Sequence, residues 1–109
     1  MESAAKDAVA QAMDQMWERF RPQLEARIAT LESAAEALAA GTLVPAHREQ
    51  AGAEAHKLAG VLGSFGLHEG TSLAREAELA YAGSAADSVA AKRMSEIASQ
   101  LRAMLAGRK

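Results

Sequence analysis

The 109-residue sequence predicts an all-α fold, an up-down antiparallel four-helix bundle with an additional N-terminal helix. Three observations predict it. Apolar residues recur at alternating steps of three and four along nearly the whole chain, which is the period of a helix buried on one face. Half of the residues are apolar, but alanine carries much of that half and aromatic residues make up only 4%. Alanine and leucine favour helix, and the β-branched and aromatic residues that favour strands are scarce. The breaks in the pattern fall at Pro22, Gly41 to Pro45, Gly66 and Gly83. The connections they leave are short, so successive helices are antiparallel neighbours.

Residues Ser3 to Arg21 read as the additional helix, with Val9, Met13, Met16 (with Trp17) and Phe20 as its stripe. Proline lacks a backbone donor and clashes one turn back, so Pro22 breaks or kinks the helix. The stripe resumes in phase at Leu24, Ile28, Leu31, Ala35 and Leu38, which predicts a second helical piece on the same face with Pro22 in its first turn. Gly41 is its C-terminal cap. Pro45 suits the first turn of the next helix, which runs from about Ala46 to Phe65 and is ended by Gly66. Leu67 to Tyr81 form a shorter helix with Leu73, Ala77 and Ala80 inward, closed by Gly83. Ser84 with Asp87 three residues on resembles a capping box. The last helix runs to about Ala106 on Ala90, Met94, Ile97, Leu101 and Met104 or Leu105. The whole chain, residues 1–109, reads as one domain, large enough for a small core. The initiator Met1 and the full set of helices suit a stand-alone module; a segment of a longer protein is the alternative.

Composition excludes several classes of function. The net charge is −2 with both signs interspersed, and no basic stripe suits a nucleic acid. No apolar run approaches the ~18 residues of a membrane span, and no signal-peptide pattern opens the chain. There is no cysteine, which excludes thiol chemistry and zinc–thiolate sites and suits a cytoplasmic protein.

The stretch Ala55-His56-Lys57-Leu58-Ala59-Gly60-Val61-Leu62-Gly63-Ser64-Phe65-Gly66 carries the chemistry. Ala51, Ala55, Leu58, Leu62 and Phe65 form its buried stripe. At ~100° per residue, His56 lies about 140° from the centre of that stripe and faces away from the core. Its own face, within about 60°, holds Glu49 and otherwise only Gly52, Ala53, Ala59, Gly60 and Gly63. Three interior glycines cost a helix roughly 3 kcal/mol relative to alanine. Helical side chains lean toward the N-terminus, so the residue that would overhang His56 is Gly60, which has nothing to overhang with. Such a face admits a bulky, rigid partner that brings a reactive group to the imidazole. The competing explanation for the glycines is close packing of a neighbouring helix. His47 lies near the core stripe at a helix start, as a packing or capping residue, and His68 begins the next helix in solvent. No metal-ligand spacing joins them to His56. Glu76 and Glu78 face different sides of their helix and form no acid–base pair. Trp17 and Phe20 read as core at one end of the bundle, with a partner surface as the alternative.

These residues resemble the histidine phosphotransfer (HPt) domains of two-component phosphorelays. The signature of that family is a helical histidine, an aliphatic residue two on, often a lysine three on, and a glycine four on. His56, Leu58 and Gly60 match it by position. Gly63-Ser64-Phe65-Gly66 and Leu73-Ala74-Arg75-Glu76-Ala77-Glu78 match in kind the glycine-containing turn and the acidic helix that follow. The chain departs at Ala59, where the lysine is usual, and at Val61, where serine is frequent. The resemblance implies a carrier whose His56 takes a phosphoryl group from an aspartate of a response-regulator receiver domain, or from a hybrid sensor histidine kinase, and passes it on. It implies no cofactor of the chain's own; Mg²⁺ belongs to the partner receiver. Lys57, the nearest cation in sequence, is either the phosphate-stabilising residue or a solvated surface lysine, since it sits ~100° round the helix from His56. Ser64, at the helix end, edges the docking face formed by Glu49, Gly52, Ala53, Ala59, Gly60 and Gly63. The alternative to a carrier is an adaptor of the same shape that binds a receiver or other signalling partner without being phosphorylated.

Overall fold

The helices form where the apolar period places them, with one correction at the N-terminus. The structure, a computed structural model, describes residues 2–108. It holds four helices, α1 (Glu2–Ala40), α2 (Pro45–Ser64), α3 (His68–Ala82) and α4 (Ser88–Gly107), and no strand among the described residues. Pro22 lies inside α1 and does not divide it, so the additional N-terminal helix is absent. A 39-residue helix is about 58 Å long at 1.5 Å per residue, and the longest dimension of the molecule is 57 Å. The reason is burial. Proline inside a helix costs ~3 kcal/mol, whereas each large apolar side chain removed from water contributes about 1.5–3 kcal/mol. Trp17 before the proline and Leu24, Ile28 and Leu31 after it are all at most 2% exposed, so one continuous face is buried across it.

The other helices are far shorter, at 20, 15 and 20 residues. The first turns of α1 therefore run past the bundle, and the predicted stripe is not core there: Val9 is 64% exposed and Met16 45%. The core begins at Trp17, whose ring meets Phe65 edge-on at 5.1 Å. The Arg108 guanidinium sits 4.7 Å from the centre of the Trp17 ring and closes that end of the bundle.

Loop chemistry sets the remaining ends. Gly41 and Gly66 adopt φ of +73° and +76°, a left-handed conformation that glycine enters without penalty. The Thr42 N–H donates to the Ala37 carbonyl and the Leu67 N–H to the Leu62 carbonyl, satisfying carbonyls that the helix ends leave free. Pro45 opens α2 as expected. The expected capping box at Ser84 and Asp87 does not form. Asp87 is itself the N-cap of α4, its carboxylate accepting from the Ala90 N–H at 2.8 Å.

The four helices form a ring in which α1 and α3 each pack on α2 and α4, with no close backbone approach across either diagonal among the described residues. Neighbours are antiparallel. Ion pairs stitch α1 to α2 (Arg27–Glu54), α1 to α4 (Arg102–Glu32) and α3 to α4 (Arg93–Glu76). The α2–α3 side is the closest approach. A Cβ added at Gly63 would meet the Thr71 hydroxyl at 3.3 Å, and one at Gly70 would meet the Leu62 side chain at 3.0 Å.

Candidate functional site on the α2–α3 face

The buried stripe of α2 (Ala51, Ala55, Leu58 and Leu62) anchors the helix to the core and fixes the direction of everything else on it. His56 consequently projects into solvent over the seam with α3, its side chain 74% exposed. It is not unaccompanied. Its Nδ1 lies 2.8 Å from Oε2 of Glu78, which reaches across from α3. An ionised carboxylate only accepts, so this contact assigns the hydrogen to Nδ1. In the neutral ring Nε2 then carries the lone pair, on a side chain that is mostly in solvent. The pair sits in a shallow groove whose other walls include Arg48, Glu49, Gly52, Ala53 and Tyr81.

Two residues of this arrangement were not read from the sequence. Glu78 is one, and the signal for it is the position of the turn. In an antiparallel helix pair, residues equidistant from the turn face one another. Gly63 faces Thr71 and Gly52 faces Tyr81; counting outward from Gly66 and Leu67 in the same way puts Glu78 opposite His56. Arg48 is the other. Its guanidinium donates to the carbonyls of Gly83 and Ala85 at 3.0 Å each and, at 3.4 Å, to that of Ala80. The last turn of α3 has no basic residue of its own, so Arg48 caps α3 from the neighbouring helix. The struts at the two ends of the seam are therefore Arg48 and Thr71, whose hydroxyl donates to the Ala59 carbonyl at 3.0 Å. Beneath the groove, the Tyr81 hydroxyl is buried without a hydrogen-bond partner, and burial pushes it up to about 12 against the opposing influence of Arg48.

The expected docking face divides in two. Gly60 is open: a Cβ there would meet nothing within 4 Å. Glu49 and Ala53 are exposed beside it. Ala59, in contrast, is 5% exposed and turned into the α2–α3 seam, so it offers no surface to a partner. Gly52 and Gly63 are half-buried on the same seam; at Gly63 the competing explanation holds, since a Cβ there would crowd Thr71, whereas one at Gly52 would make ordinary contact with Tyr81 at 3.7 Å. Ser64 is exposed at the end of α2, its hydroxyl donating back to the Gly60 carbonyl at 3.2 Å. The Lys57 ammonium lies 3.7 Å from Glu54, on the α1 flank of α2 and on the opposite side from Glu78. His47 is half-buried at the start of α2, and His68 is exposed as the first residue of α3. Glu76 pairs with Arg93 on α4, and Glu78 with His56 on α2, so the two carboxylates do face different sides.

Against known proteins, the family model of the Hpt domain matches residues 15–108. No curated protein and no solved structure matches the chain. The matched span starts just before the core does, at Trp17, and includes all of α2, α3 and α4.

Proposed function

This chain belongs to the Hpt domain family, and on that footing we propose that it is the histidine-containing phosphotransfer module of a two-component phosphorelay, phosphorylated on His56. The single observation that carries the assignment to this residue is the Nδ1 contact with Glu78, which in the neutral imidazole leaves the Nε2 lone pair free on an exposed side chain.

The chemistry follows from that geometry. The Nε2 lone pair attacks the phosphorus of an aspartyl phosphate in a receiver domain. The Nε2–P bond forms as the P–O bond to the aspartate breaks, and its electron pair leaves on the aspartate carboxylate. The hydrogen stays on Nδ1, where the Glu78 carboxylate offsets the positive charge that the ring acquires. Return is the same path reversed, with the electron pair of the N–P bond going back to Nε2. Transfer of this kind passes through a loose, in-line transition state, and positioning and charge neutralisation supply most of the rate. Mg²⁺ on the receiver would supply part of that neutralisation, and this chain holds no cofactor of its own in the reaction. The chain is a carrier with no turnover on a small molecule. Its partners are a response-regulator receiver domain, a hybrid sensor histidine kinase, or both, and its place is the cytoplasm with them. No described helix is long and apolar enough to cross a membrane.

One observation favours a second reading. Neither Ala59, which is buried, nor Lys57, which is engaged by Glu54, presents a cation to His56. That is the arrangement of an adaptor that docks on a receiver without accepting its phosphoryl group. Mixing the protein with a phosphorylated receiver domain and locating the acid-labile phosphate by mass spectrometry decides the matter. We expect label on His56, none on His56→Gln, and retained label on His47→Gln and His68→Gln. The His56→Gln protein should melt as the wild type does, because an exposed side chain contributes little to stability. A receiver complex without labelling supports the adaptor, and label that persists in His56→Gln moves the site elsewhere.

A further inference from the structure

A phosphoryl group on His56 needs a cation beside it, and the helix that carries the histidine does not present one. We propose that Arg75, on α3, is that cation and acts as a catalytic residue by contacting the transferred phosphoryl group; the inference rests on the phosphorylation of His56 proposed above.

Elimination points to it first. Among the described residues, α2 and α3 hold three side chains of lysine or arginine: Arg48, Lys57 and Arg75. Arg48 is consumed by carbonyls at the end of α3. Lys57 is held by Glu54 on the far flank. Arg93 of α4, on the other side of α3, is committed to Glu76 and Glu96. Arg75 is exposed, and its side chain takes part in no ion pair or hydrogen bond among the described residues.

Register points to it a second time. Thr71, Arg75 and Glu78 are spaced four and three apart, so they form one row along α3. Both ends of that row bond to α2, Thr71 to the Ala59 carbonyl and Glu78 to His56. Arg75 stands between them and therefore overlooks the same seam. It lies three residues from Glu78, about 4.5 Å along the helix axis, which a long arginine stem readily spans. The part of α2 level with it is Ala59 and Gly60. The first is buried and the second has no side chain, so nothing on α2 either pairs with the guanidinium or blocks its path to Nε2 of His56. The open position at Gly60 thus clears a passage for a charged group of this chain as well as for a partner. A guanidinium also suits the task better than an ammonium, since its planar fork binds two phosphoryl oxygens at once.

The test charges wild type, Arg75→Ala, Arg75→Lys and Lys57→Ala with phosphoramidate and follows the phosphohistidine by ³¹P NMR across pH, with His56→Gln as the control for labelling elsewhere. A cation in contact favours the fully ionised phosphoryl group. The resonance should therefore titrate at higher pH in Arg75→Ala than in wild type, at an intermediate pH in Arg75→Lys, and as wild type in Lys57→Ala. Transfer from the charged protein to a purified receiver domain should slow about tenfold in Arg75→Ala, the loss of one exposed charge-assisted hydrogen bond, and recover in part in Arg75→Lys. Melting should change little, because Arg75 is exposed and makes no ion pair or side-chain hydrogen bond among the described residues. Unchanged titration and rate in Arg75→Ala, or both effects appearing in Lys57→Ala instead, overturns the proposal while leaving His56 in place. If wild type takes no phosphoryl group on His56 from either phosphoramidate or a phosphorylated receiver, the underlying reading fails and this one with it.

Discussion

A neutral imidazole in water shares its hydrogen between two nitrogens and places it mostly on Nε2. An exposed histidine is thus mostly in the form with the wrong nitrogen free for attack at the ring's outer edge. The Glu78 carboxylate, 2.8 Å from Nδ1, reverses that preference. It also holds the ring in one orientation, so less entropy is lost when an electrophile arrives. Glu78→Ala should therefore return the hydrogen to Nε2, which ¹⁵N NMR of His56 reads directly, and slow phosphoryl acceptance by about tenfold, the scale of one charge-assisted hydrogen bond. Loss of rate without any change of tautomer would show that Glu78 acts on the partner rather than on the histidine. At this scale the sequence was only half legible. Periodicity puts His56 outside the core with certainty of direction, because one face of α2 is fully apolar. It says nothing of what stands opposite, since Glu78 is 22 residues away and reaches His56 through the register of two helices.

At the scale of the element, α2 spends helix propensity for two different purposes, and the glycines separate them. Gly63 and Gly52 face α3. The missing side chain of Gly63 lets the two helices close until the Thr71 hydroxyl meets the Ala59 carbonyl. Gly60 faces nothing. Substitution should then have opposite signs one turn apart. Gly60→Gln adds a good helix former at an open position and should raise stability by up to ~1 kcal/mol, while its side chain leans over His56 and sharply reduces phosphotransfer. Gly63→Gln should lower the melting temperature, because its Cβ alone is already crowded by Thr71 and the rest of the side chain must displace α3. Thermal melts of the two variants, with a transfer assay on the first, check both signs; a destabilised Gly60→Gln protein would remove the case for an open face. The sequence shows a bald stripe but not this division. All the glycines fall within one arc of the helix, and only the position of α3 tells which part of that arc is covered. The same limit explains Ala59, which lies at the edge of the arc and is taken by the seam.

Across the whole molecule, what the sequence states plainly is the core, and what it states poorly is the length of each rod. Leu24, Ile28, Leu31 and Leu38 on α1 and Met94, Ile97, Leu101 and Leu105 on α4 are buried as their period requires. Pro22 misleads because its local cost is visible in the sequence and the compensating burial on both sides of it is not. Val9 and Met16 mislead in the other direction, since an apolar stripe is a face available for packing and nothing in it says that the partner helices stop short. Among the described residues the backbones approach only between ring neighbours, and on the α3–α4 seam Arg93 bridges to Glu76 with two bonds of 2.6 and 2.8 Å. That pair makes acid stability measurable at one place. The hydrogen bond from Arg93 holds the Glu76 carboxyl below the ordinary glutamate value of 4.5, against a smaller opposing effect of burial. A carboxyl lowered in the folded state binds fewer protons there than in the unfolded chain, so its contribution is fully present above pH 4.5 and is lost as pH falls through the lowered value. The pair is largely solvated, which keeps the effect small. Arg93→Met should thus melt a few degrees at most below wild type at pH 7, and the gap should narrow as the pH falls below 4.5 through the lowered value and Glu76 becomes protonated. A gap of constant size over that range would assign the loss to packing of the arginine stem across the seam, and not to its charge.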